Sequence, residues 1–434
     1  MLLLTLFSLF FQTDTVHILD GYVSNLSVYP GESVDIFLNA NASVESHNIR
    51  LYDLNGEVVG TFPMHIFPQE PLKNNSYENG FAYKKSATIR VPALVSGVYM
   101  WENLVPMVVK SRQAKLLILY TSNTENAYTA AGGKSLYDFN SDDGKRAHKV
   151  SFQRPIGLPR HAEAFLRWIV KQPLNDVGYV TDGDLENYAE IRRASLLIIP
   201  GHSEYWTYDA RKNFDRFVSD GKNAIVLSGN TMWWQVRYDR KRNHLICYKS
   251  ASEDNIKNPR FRTTRWSDPT LGYPITKSIG VEFSLGGYGR KVDNGWDGFR
   301  ITCDSPLLEE TGLSKGDVLY CSSDEYDGTP LLGFNAGTPV VNRMALGFEK
   351  VEIVGFDLSS YHDVQGVATW IVAKPTKKSG IIINTATTDW CSDQGIGAST
   401  QIRTITMNMI NKLLNKKNVF SPTVGTDAMP IIAH

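Results

Sequence analysis

The run Ser195–Trp206, Ser-Leu-Leu-Ile-Ile-Pro-Gly-His-Ser-Glu-Tyr-Trp, limits what this chain can fold into more than any other stretch. Leu196 to Ile199 is an unbroken apolar segment closed by Pro200 and Gly201, the pattern of a strand buried on both faces and ended by a sharp turn. Such strands belong to parallel sheets covered by helices. Chemistry-bearing groups follow the turn at once. His202, Glu204 and Tyr205 bring an imidazole, a carboxylate and a phenol to the carboxyl end of the strand, where open α/β sheets hold their ligands.

The segments around this run alternate in the same grammar. Leu116–Tyr120, Val177–Val180, Ala224–Gly229 and Ile381–Thr385 read as further buried strands. Between and after them lie three helical patterns. His161–Gln172 carries Ala164, Phe165, Trp168 and Ile169 on one face, Asp209–Asp220 carries Phe214, Phe217 and Val218, and Ser399–Lys416 carries Ile402, Ile405, Met409, Ile410 and Leu413. The alternation predicts a flavodoxin-like, doubly wound α/β domain over residues 113–418, with the sheet type of class I glutamine amidotransferases. A loop-rich insertion is expected from about residue 238 to 380. Residues 17–112 read differently. Short alternating segments such as Val34–Leu38, Ile49–Tyr52 and Gly97–Trp101, punctuated by turns, predict an immunoglobulin-like β-sandwich. Residues 419–434 read as a tail.

At 434 residues the chain has room for these two domains and a dry interior. Lysine plus arginine and aspartate plus glutamate number 45 each, so no net field favours a nucleic acid or an anionic membrane. Leu2–Phe11, within residues 1–16, resembles the apolar core of a secretory signal, and a hydrophobic first strand is the other reading. Secreted or periplasmic placement is therefore expected, with a cytoplasmic one as the alternative. At roughly ten residues the run falls well short of the ~20 that span a bilayer. Asn25, Asn41 and Asn74 each begin an Asn-x-Ser sequon. The four cysteines, Cys247, Cys303, Cys321 and Cys391, have no metal-knuckle spacing, and only Cys303 with Cys321 invites a bridge.

Two loops leave strand ends on the same side of the expected sheet. One follows Tyr120 and includes Asn126–Tyr137; the other is His202–Trp206. Tyr128 and Glu204 can therefore meet, and their hard oxygens suit a highly charged iron ion or a small divalent one. Each residue also has a structural reading: Tyr128 as amphipathic filler, Glu204 as a partnered or solvated carboxylate, and His202 as a donor to a backbone carbonyl. Other chemistries drop out. The turn after the central strand has no cysteine nucleophile, Ser203 lies in no Gly-x-Ser-x-Gly elbow, and Gly286, Gly287 and Gly289 form no phosphate-binding loop.

Gly201-His-Ser-Glu-Tyr-Trp-Thr, with Asn126-Ala-Tyr before Gly132-Gly-Lys-Ser-Leu-Tyr, resembles the large (beta) subunit of N,N-dimethylformamidase and its relatives, over roughly residues 20–415. The resemblance implies hydrolysis of a formamide to an amine and formate at a mononuclear ferric iron held by two tyrosinates and a glutamate. Carried across, it implies Glu204, Tyr128 and Tyr99 as metal ligands and His202, Lys249 and Glu325 as the remaining catalytic groups. It also implies a small amide as substrate and either a homo-oligomer or a small companion subunit. The formamidase's lectin-like module is not read in these residues, which leaves the identity of the amide open. Two other readings stand beside this one. A secreted or surface protein could bind glycan or protein without catalysis, stacking sugars on Trp233, Trp234, Trp266 and Trp296; a glycan-active enzyme could use Glu204 and Glu325 as paired carboxylates.

Overall fold

Two sheets face each other between Ile18 and Val109. One holds the strands Ile18–Val23, Ser33–Ala40 and Ala87–Arg90; the other runs Ser27–Val28, Val105–Val109, Gly97–Trp101, Val44–Tyr52 and Val58–Ile66 in spatial order. Alternation along Ser33–Ala40 sends Val34, Ile36 and Leu38 inward to meet Ile49, Leu51, Trp101 and Met107 of the opposite sheet in one core. This computed structural model describes residues 16–290, 292, 295–321 and 323–422, so the expected signal segment and most of the expected tail lie outside the described residues.

The second body is built on parallel strands β1 (Leu116–Tyr120), β2 (Val177–Thr181), β3 (Leu196–His202) and β4 (Asn223–Gly229). Two long antiparallel strands follow, β5 (Lys350–Tyr361) and β6 (Val364–Lys374), and then β7 (Ile382–Asn384), which runs parallel to β4. Their order in the sheet is β2-β1-β3-β4-β7-β6-β5. The chain steps outward from β1 to β2 and then returns past β1 to β3. The crevice between the carboxyl ends of β1 and β3 is consequently a topological switch point, the usual place for a ligand in an open α/β sheet.

Helices cover both faces. Helix α1 (Ser122–Tyr128) follows β1 directly. Helix α2 (Glu163–Ile169) buries Phe165, Leu166 and Ile169 in the same cluster as Ile402, Ile405, Met409 and Ile410 of α4 (Thr400–Leu414); α3 (Tyr208–Ser219) buries Phe214, Phe217 and Val218 in the cluster on the other face. Side-chain oxygens of Thr207 and Ser399 cap α3 and α4, accepting from the backbone of Ala210 and Ile402.

The structure departs from the sequence reading in three places. The stretch expected to be loop-rich contains β5 and β6, the longest strands described, most of whose residues are buried. Burial on both faces removes the alternating signal, and a register shift between Ile353 and Gly355 breaks β5 internally. The expected tail begins inside the core: Val419 and Phe420 are buried, and the Ser421 N–H donates to Glu352 Oε2 at 2.9 Å. No bridge joins Cys303 to Cys321, and all four cysteines are free thiols. The Cys303 thiol instead faces Glu352 Oε1 at 3.4 Å.

Candidate active site

Glu204 is placed by backbone bonds to three neighbouring segments. Its N–H donates to Thr124 Oγ1 of α1 at 3.0 Å, its carbonyl accepts from Trp234 N–H at 2.9 Å, and the adjoining Ser203 N–H donates to Ser228 Oγ of β4 at 3.1 Å. The turn before it depends on Gly201, whose φ of +72° favours glycine and where a Cβ would meet the His161 carbonyl oxygen at 2.6 Å. Gly229, at the end of β4, carries no side chain for a related reason: a Cβ there would lie 2.5 Å from the Glu325 carbonyl oxygen. The backbone carrying Glu325 therefore closes directly onto the end of β4.

The buried Glu204 carboxylate meets a phenol that sequence reasoning had not singled out. Tyr137 Oη donates to it, lying 2.9 Å from Oε1 and 2.8 Å from Oε2, and is 2.8 Å from Tyr128 Oη. Tyr128 Oη is in turn 3.3 Å from His202 Nε2. His202 Nδ1–H donates to the Gly229 carbonyl at 3.0 Å, which directs Nε2 toward Glu204 Oε2 at 3.3 Å and Glu325 Oε2 at 3.8 Å. Lys249, held at a φ of +57°, sets its ammonium 3.1 Å from the centroid of the Tyr137 ring. Five of the six expected residues thus converge: Tyr128, His202, Glu204, Lys249 and Glu325.

Tyr99 does not join them. It belongs to the sandwich core and donates its hydroxyl to the Val95 carbonyl at 2.9 Å. The second phenol comes instead from the loop after α1, which Arg154 holds in shape. That buried guanidinium donates to Asn126 Oδ1 at 3.0 Å and to the carbonyls of Asn126, Ala131 and Lys134 at 2.5, 2.8 and 2.8 Å. Tyr137 ends the run Asn126–Tyr137, but spacing along a loop carries no periodicity that would point its side chain inward.

The electrostatics follow from burial opposed by pairing. Burial disfavours the His202 imidazolium, yet the Glu204 carboxylate and then Glu325 outweigh it and raise the imidazole to about 9. Burial also opposes ionisation of Glu204, but His202 and Lys249 hold its carboxyl below the usual range. Burial raises Glu325 and brings Lys249 down to about 8. The phenols of Tyr128 and Tyr137 are pushed well above the ordinary value, first by burial and then by the charge on Glu204.

Other candidates find structural places. Trp233 and Trp266 are buried in the core, so they offer no open platform for a sugar. Ser203 accepts from the Trp206 indole at 3.0 Å and is wholly buried. The Tyr205 hydroxyl and the Trp234 indole N–H, near Lys249, are buried without a partner of hydrogen-bonding geometry among the described residues.

The sequence profile described as N,N-dimethylformamidase beta subunit-like, C-terminal, matches residues 59–397. The chain belongs to this family. No curated protein matches it. The matched segment contains the whole cluster, from Tyr128 to Glu325. Family membership agrees, at its coarsest, with hydrolysis of an amide.

The donor set can be tested for a fit to iron on its own geometry. Among the described residues no group of three or more His, Cys, Asp or Glu side chains is arranged for a metal, so any cation here depends on the phenols. Tyr137 Oη lies 2.8 Å from Tyr128 Oη and 2.8–2.9 Å from the Glu204 carboxylate oxygens. Neighbouring ligands around a small cation bound at roughly 2.0–2.1 Å are themselves about 3 Å apart. Tyr137 keeps that spacing to both of the other hard donors, Tyr128 and Glu204, which suits a small, highly charged ion.

Proposed function

We propose that this protein is an iron-dependent hydrolase of a small amide, with Tyr128, Tyr137 and Glu204 as the residues that would hold the metal. The convergence of two phenol oxygens on one buried carboxylate carries this reading. When bound, a ferric ion supplies Lewis acidity, polarising a carbonyl and acidifying water.

The chain's own groups account for the proton movements. With Nδ1–H committed to the Gly229 carbonyl and the imidazole held protonated beside Glu204, His202 presents Nε2–H as the donor that gives a proton to the departing amine. Glu325, with a side chain 21% exposed, stands between His202 and solvent and is kept in place by a 3.2 Å bond from Asn230 Nδ2. It is placed to exchange that proton with bulk water. Lys249 keeps a positive charge against Tyr137 and Glu204, which favours the anionic form of both.

The same proposal takes the two-sheet body as immunoglobulin-like and the β2-β1-β3-β4-β7 arrangement as flavodoxin-like. It includes export directed by Leu2–Phe11, and a companion subunit, which the family's description as a beta subunit supports. No helix among the described residues is long and apolar enough to cross a membrane.

The test is metal analysis with visible spectroscopy on full-length protein expressed in ample iron. About one iron per chain with a tyrosinate charge-transfer band is expected. Glu204→Gln should lose the iron while keeping a cooperative unfolding transition. Colourless, iron-free parent protein, or unchanged iron in the variant, would remove the basis of the proposal.

A further inference from the structure

A groove of about 520 Å³ opens beside the site, lined by Arg160, Arg167 and Arg290 together with Glu163, Asp389 and Asp393. Each wall is tied to a residue of the cluster. Arg160 precedes His161, whose ring meets that of His202 at 5.5 Å, and its N–H donates to Glu125 of α1 at 3.1 Å. Arg290 lies two residues beyond Tyr288, the strand partner of Glu325; Asp389 follows Thr388, whose N–H donates to the Glu325 carbonyl at 3.2 Å. The groove and the cluster therefore share three backbone segments, those around His161, Tyr288 and Thr388.

The charges in the groove do not all cancel locally. Arg167 is paired with Glu163 at 2.8 Å, and Arg290 is shared between Asp324 at 3.3 Å and Asp389 at 3.6 Å. Arg160 and Asp393 are left exposed, without an ion pair among the described residues. One free guanidinium and one free carboxylate in a single groove suit a ligand that carries both signs. A guanidinium grips a carboxylate through two parallel bonds, and a lone carboxylate accepts from an ammonium.

We propose that the groove binds an amino-acid head group, its carboxylate on Arg160 and its ammonium on Asp393, so that the amide hydrolysed is borne on the side chain of a zwitterion. This rests on the amidase reading for the bond cleaved, but not for the binding itself. An uncharged amide such as dimethylformamide leaves both groove residues unused.

Three formamides of similar length separate the cases when titrated into the full-length chain: the side-chain N-formyl derivative of lysine, ω-formamidohexanoate and N-hexylformamide. The zwitterion should bind about tenfold more tightly than the anion, and the anion more tightly than the neutral amide. Arg160→Gln should abolish the preference for anion over neutral, and Asp393→Asn the preference for zwitterion over anion. Equal affinities in the parent chain, or a ranking that both substitutions leave intact, overturn the assignment. Formate release is followed separately. If the ranking holds but none of the three yields formate, the amidase reading fails while the groove assignment stands; equal hydrolysis with equal binding reverses that outcome.

Discussion

Tyr99 and Tyr137 look alike in composition and differ in what surrounds their hydroxyls: a backbone carbonyl for one, a buried carboxylate and a second phenol for the other. Tyr137→Phe should cost most of the bound iron or shift the visible band, whereas Tyr99→Phe should leave both unchanged and lower stability by about 1 kcal/mol for the lost bond to Val95. Iron content and denaturant midpoints distinguish the two. A different residue sets a pH dependence. Asp182 accepts from the Asn123 N–H at 2.8 Å and Ser122 Oγ at 3.2 Å, and its burial raises the carboxyl to about 7. The folded state thus keeps a proton that the unfolded chain gives up near the ordinary carboxylate value. This contribution is fully present below about pH 4 and declines toward about pH 7. Asp182→Asn should flatten that decline by a few kcal/mol, read from unfolding curves across the range.

The loop after α1 is an element in its own right, although it has little regular structure. Arg154 supplies what secondary structure does not, filling four oxygens with one buried guanidinium. Arg154→Ala should destabilise the protein by roughly 3–5 kcal/mol, since the carbonyls it serves are left dry and unpaired. The variant should also lose iron under the proposed assignment, because Tyr137 hangs on this loop and Tyr128 ends the helix that leads into it. Metal analysis of protein that still folds at low temperature checks this. This loop marks the boundary of what could be read from the sequence. Leu196–Ile199 announced a buried strand through its apolar run, and α3 and α4 through their spacing, so the loops that leave the strand ends could be paired in advance. The inward turn of Tyr137 is a tertiary fact fixed by Arg154, and β5 and β6 were hidden because burial on both faces erases alternation. Glu325 was reachable through resemblance, but its approach to β4 is decided by bare backbone at Gly229.

Across the whole molecule, the sandwich and the α/β body share a buried junction. Lys110, just past the last sandwich strand, pairs with Asp184 at 2.7 Å and Glu190 at 3.2 Å, and the Tyr179 N–H of β2 donates to Ser96 Oγ at 3.0 Å. Removing one member of a buried pair leaves its partner charged and unserved, so Lys110→Met should cost roughly 3–5 kcal/mol. Calorimetry should then resolve two transitions, one for each body; a single unchanged transition would mean that this ion pair is not what couples them. The spread of the cluster has its own outcome. Its groups are gathered from residue 128 to residue 325, across strands that pair far along the chain. Under the proposed metal assignment no fragment of a nascent chain that stops short of Glu204 would hold the ion, so the onset of colour during refolding would time the moment at which the loop after α1 and the end of β3 lock together.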